Sequence, residues 1–220
     1  MKFRLEVGVL VSVAVGAILA ACGGSPSAPS PTPVTISLQS SSWETISDPQ
    51  PSPFPLVNIF GGLMFQFPAS GSINYLYTTS PLAAIQGTLS VTVNIDTLGA
   101  VVFNSVEPQS ASCTIPPSVR PFIWANNNGN GEFDRWWSNP RAMTLAAGTQ
   151  TISVPLQAEA WSSVNGKFGN ADAPTRFAFE RALLNVSRLG VTFGGGCSFG
   201  HGVNVRNGVA TFSLTNYSIR

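Results

Sequence analysis

Residues 186–220 read VSRLGVTF, then GGGCSFGHG, then VNVRNGVATFSLTNYSIR, and this stretch decides the class of fold. Asn207-Gly208 stands between two alternating runs, the short-range pattern of a type I′ hairpin. Val203 and Val205 lie on one side of it, and Ala210, Phe212 and Leu214 on the other, each spaced by two as one strand face requires. Three strands are therefore expected here, with Cys197 at their glycine-rich rim. Strands at the end of a chain need earlier strands to pair with.

Those earlier strands are readable. Leu89, Val91, Val93 and Ile95 alternate with Thr88, Ser90, Thr92 and Asn94, and residues 101–103 are expected as a companion strand across a Leu98-Gly99 turn. Ile152, Val154 and Leu156 repeat the period, and residues 65–67 and 73–77 are short strands around a Gly-Ser turn. The run DPQPSPFP at 48–55 is too rich in proline for a central strand. One short helix interrupts the pattern, as a lid on a sandwich edge. Asp172 is its N-cap, Pro174 fits its first turn, Phe179, Leu183 and Val186 recur at helical spacing, and Gly190 marks the exit. Regular short strands with frequent turns predict an all-β sandwich or barrel.

The start of the chain is an address. Lys2 and Arg4 precede an apolar run that ends Leu19-Ala20-Ala21-Cys22. That ending resembles the lipobox of bacterial lipoproteins, which implies cleavage before Cys22 and acylation there. The expected organisation is a signal peptide over 1–21, a lipidated Cys22 with a Ser/Pro-rich tether over 22–33, and a single β domain over 34–220. Gly23, where an Asp would favour inner-membrane retention, points to the outer membrane or cell surface.

Composition excludes several classes. Charged residues are 10% of the chain, and acidic and basic side chains balance once the leader's Lys2, Arg4 and Glu6 are set aside. A neutral chain offers no stripe for nucleic acid. With Cys22 given to lipid, Cys113 and Cys197 form an even pair in an oxidising compartment. A bridge between them would add about 4–5 kcal/mol on the chain-entropy account.

Residues 122–139 (FIWANNNGNGEFDRWWSN), 145–170 (LAAGTQTISVPLQAEAWSSVNGKFGN) and 185–205 (NVSRLGVTFGGGCSFGHGVNV) resemble a recurring block of exported bacterial proteins of unknown role. Those proteins are similar to carbohydrate-binding modules with the galactose-binding-like jelly-roll fold. The resemblance implies two packed antiparallel sheets, and brings no catalytic residue with it.

Candidate chemistry is sparse. Glu132 and Asp134 are close in sequence, but a glycosidase needs carboxyl groups on opposite sides of a bond. His201 is the chain's one histidine, and no serine sits in a G-x-S-x-G elbow. No catalytic residue is assigned. Asn126, Asn128, Asn130, Gly131, Glu132 and Asp134 follow the opening of a calcium loop, but Trp137 holds the place of its bidentate Glu. A weak structural calcium is the single cofactor this pattern admits, against an ordinary hairpin connection.

The aromatics say more. Val119, Ile123 and Ala125 make the apolar set of one strand and Arg120, Phe122 and Trp124 the opposite set. In the next strand, Phe133, Arg135 and Trp137 are taken as the core set. That register puts Arg120, Phe122, Trp124, Asp134 and Trp136 on a common outer face. Aromatic planes beside Arg and Asp suit sugars, whose apolar faces stack while hydroxyls take hydrogen bonds. The competing reading is that the face is covered and forms a second core. The expectation is a lipid-anchored, non-catalytic envelope module that binds glycans, or alternatively a structural or protein-interaction lipoprotein without a sugar site.

Overall fold

The computed structural model describes residues 34–49, 54–78, 80, 82, 84–107, 114–125, 131–139, 142–196 and 198–220. In chain order the strands are β1 (Val34–Thr35), β2 (Trp43–Asp48), β3 (Val57–Ile59), β4 (Gly62–Gln66), β5 (Ser72–Thr78), β6 (Thr88–Ser105) and β7 (Ile115–Ala125). They continue as β8 (Arg135–Ser138), β9 (Met143–Thr144), β10 (Gly148–Pro155), β11 (Trp161–Ser163), β12 (Val186–Gly196), β13 (Ser198–Phe199) and β14 (Val203–Ile219). Helix α1 (Ala173–Leu183) lies between β11 and β12.

One layer runs β10–β6–β14–β4–β3, with β1 beside the end of β14. The other runs β2–β5–β12–β7–β8–β11, with β13 on β12 and β9 on β7. The layers join where Val203 meets Ile73. The fold is an antiparallel β-sandwich, with one α-helix among the described residues.

Alternation explains the core. Leu89, Val91, Val93 and Ile95 of the first layer face Val119, Ile123, Leu189, Val191 and Phe193 of the second, and all are buried. Phe212 bridges them, stacked on Phe65 at 5.1 Å and edge-on to Phe193 at 5.3 Å. Burying rings this size contributes strongly to folding.

Two expected turns are absent. β6 runs unbroken through Leu98-Gly99 and β14 through Asn207-Gly208, and the two strands pair along nearly their whole length. A type I′ turn needs positive φ at both central residues. Here Asn207 takes φ 59° and Gly208 stays outside that region. The register shifts between Arg206 and Gly208, where Ala100 and Val101 of β6 oppose Asn207 alone, so the ladder carries a β-bulge on β6 beside Gly99, itself at φ 89°. A Cβ at Gly208 would strike the Leu98 carbonyl, which is why glycine stands there. Two strands of matching length offer each other a continuous ladder, and this outweighs the local turn preference.

The helix begins as its sequence predicts, with Asp172 accepting from the Thr175 amide at 2.7 Å. It ends sooner. Val186 opens β12, and Gly190 lies inside that strand, because the run after Asn185 finds β5 and β7 as neighbours on both sides. Phe179 seals the core edge against Trp136 at 5.1 Å and Trp161 at 6.2 Å.

Candidate functional site

The outer face of the second layer carries its own aromatic cluster. Tyr75 and Tyr77 of β5, Phe122 of β7, Trp137 of β8 and Phe199 of β13 pack together, with Trp124 and Ile46 at the margin. Each lands there by strand parity. Pairing sets Tyr75 across from Thr192, Tyr77 from Gly190, Phe122 from both Gly190 and Trp137, and Trp124 from Arg135 and Arg188. Opposed residues in an antiparallel pair share a face. Tyr75 stands edge-on to Phe122 at 5.0 Å.

Arg120, Phe122 and Trp124 thus take the outer face, as alternation along β7 requires. The tryptophans of β8 are exchanged relative to the expected register. Trp136 pairs with Ile123 and is fully buried in the main core, stacked on Phe133 at 5.8 Å, whereas Trp137 pairs with Phe122 on the outside. The expected register extends strand parity through Glu132–Asp134, but those residues form a turn and β8 begins only at Arg135. Phe133 reaches the core from that turn, so its apolar character says nothing about the phase of the strand. Asp134 does not join the outer face either: its Oδ2 accepts from the Gly131 amide at 2.8 Å.

Arginines are interleaved with the rings. The Arg120 guanidinium lies 3.2 Å from the Phe199 ring centroid, and those of Arg188 and Arg135 lie 4.5 and 5.4 Å from the Trp124 ring. Such contacts hold a planar cation on an aromatic face. Tyr77 donates to Glu44 Oε2 at 2.8 Å, and burial, then that carboxylate, pushes its hydroxyl up to about 12 despite nearby Arg188. Burial also raises Tyr75, against the pull of Arg135 and Thr192.

At one end the face opens into a cleft of about 280 Å³, close to the lower bound of ordinary small-molecule sites. Arg120, Trp137, Asn139, Ser162, Asn165 and Phe199 line it. Its backbone origin lies in Pro121. The β7–β8 register would next pair Ser138 with Pro121, which has no N–H, and the Ser138 carbonyl accepts from Arg120 Nη1 at 3.2 Å. Asn139 Nδ2 donates to Ser162 Oγ at 3.2 Å. Arg120 Nε and Trp137 Nε1 are buried without a hydrogen-bond partner. Burial lowers Arg120 to about 10, so it remains a cation at neutral pH.

The sequence reading missed Tyr75, Tyr77, Arg135, Arg188, Asn139, Ser162 and Phe199. SINYLYT places both tyrosines in phase, and Arg188 alternates with Leu189 and Val191, so those three were within reach of the same parity argument. Phe199 arrives by a tight hairpin that alternation does not disclose.

Other expectations fall elsewhere. Cys22, Cys113, Cys197, Asn126, Asn128 and Asn130 lie outside the described residues. Glu132 accepts from the Ser163 hydroxyl at 3.2 Å. Among the described residues no group of three or more His, Cys, Asp or Glu could hold a metal ion.

No family model matches the chain, and no curated protein does. Among solved structures it is similar to a xylan-binding module, CBM15, at 12% identity over 83% of this chain and 96% of that one, with a TM-score of 0.41. A likeness this loose says nothing about what the present face binds.

Proposed function

We propose that the protein is a glycan-binding module of the bacterial envelope, with the cleft at Arg120 and Trp137 as its sugar site. One observation carries the reading: two buried donors, Arg120 Nε and Trp137 Nε1, have no protein acceptor, and both residues line a cleft also bounded by an aromatic ring, amides and a hydroxyl. A buried donor left unpaired costs about 1–3 kcal/mol, a cost that a ligand oxygen would remove. Sugars supply many such oxygens. The described lining contains no carboxylate, so the chemistry proposed is binding.

The leader supports the cellular part of the reading. Leu19-Ala20-Ala21-Cys22 has the form of a lipidation signal, which would tether the module by Cys22, and export favours a Cys113–Cys197 bridge.

The alternative, a structural or protein-interaction lipoprotein, draws on burial. Phe122 is fully covered, and Tyr75 and Tyr77 nearly so, which is how a second core would look. A glycan-array screen of the purified protein separates the two. Saccharide hits that weaken in Arg120→Gln and Trp137→Phe support the sugar site. An array blank for a folded protein favours the alternative.

A further inference from the structure

The arginines of this layer are not evenly matched by acids. β7, β8 and β12 carry one arginine each, Arg120, Arg135 and Arg188, and no acid. The acids on strands of this layer are Glu44 and Asp48, both on the far edge strand β2, and Glu44 is engaged by Tyr77. A face with cations on three adjacent strands and its carboxylates at the rim favours an anionic partner.

Arg120 locates that partner. It is 6% exposed, and burial is what lowers its pKa. A buried guanidinium ordinarily has a carboxylate beside it. Phe199 covers one face of the group, and Ser138 takes Nη1. Nε is left without a partner, on the edge it shares with Nη2. That edge is the planar fork which matches the two oxygens of a carboxylate. Trp137 Nε1, a second unpartnered donor in the same lining, suits a neighbouring ring or hydroxyl oxygen.

We infer that the cleft is selective for acidic saccharides, with the carboxylate of a uronic acid seated on Arg120. This inference rests on the glycan-binding reading above and narrows its ligand class.

The test is calorimetric titration of the purified protein with an oligosaccharide bearing glucuronic acid and with its carboxyl-reduced, neutral counterpart. The acidic form should bind roughly tenfold tighter or more, the size of one charge-assisted hydrogen bond, and high salt should shrink the gap. Arg120→Gln should erase the gap while retaining weak binding to both forms. Equal affinity of the wild type for the two forms overturns acid selectivity and leaves the sugar site standing. If neither form binds and the array is blank, both readings fall. The wild-type comparison decides the matter even if Arg120→Gln fails to fold.

Discussion

Trp136 and Trp137 are neighbours in the chain and belong to two different aromatic clusters. Trp136 enters the inter-sheet core, where Phe65, Phe67, Phe193 and Phe212 meet mainly edge to face and its own indole N–H is satisfied by the Phe133 carbonyl at 2.9 Å. Trp137 enters the outer cluster, where arginines alternate with rings and its N–H has no partner. Both are well buried, so burial alone does not separate them. Satisfaction of polar groups does. A cluster selected for stability pairs its donors. In the outer cluster Arg120 Nε and the Trp137 indole N–H have no partner in the chain, and both residues line the cleft where the proposed ligand would supply acceptors.

Substitutions can break this contrast. The largest effect is expected inside: Trp136→Ala should destabilise by about 3–5 kcal/mol, read from urea denaturation, because it empties a site packed on Phe133 and Phe179. Trp137→Phe keeps a ring but removes the unpartnered donor together with part of the indole's volume. It should cost about 1–2 kcal/mol of stability, well short of the loss from Trp136→Ala, while weakening saccharide binding by about 1–3 kcal/mol. Similar stability losses from the two changes, with affinity untouched, would make the clusters equivalent.

Asn207→Val touches neither cluster and sharpens the comparison as a control. Asn207 holds φ 59°, which a β-branched residue adopts poorly, so about 1–2 kcal/mol of stability should be lost with affinity unchanged. A fall in affinity from this variant would mean that general loosening of the fold affects binding.

What was legible follows the reach of alternation. Leu89 to Ile95, Ile152 to Leu156 and the two faces of β7 were readable because a half-buried strand repeats every two residues. The Asn-Gly pair misled because turn chemistry is local, whereas pairing β6 with β14 joins residues about a hundred or more positions apart. The phase of β8 could not be read, since a turn precedes it and two adjacent tryptophans fit either face equally well. Of the outer face, Arg120, Phe122 and Trp124 followed from parity. The cleft did not, because it depends on Phe199 folding back over Arg120 and on Pro121 releasing the Ser138 carbonyl.

The most direct test of the central claim, that the outer cluster is a binding face and not a second core, pairs one titration with one melt. A saccharide hit from the array is titrated calorimetrically into wild type and Trp137→Phe, after thermal unfolding shows both to be folded. The account predicts an affinity loss of about 1–3 kcal/mol with a fall in melting temperature of only a few degrees. Unchanged affinity in the variant would contradict it.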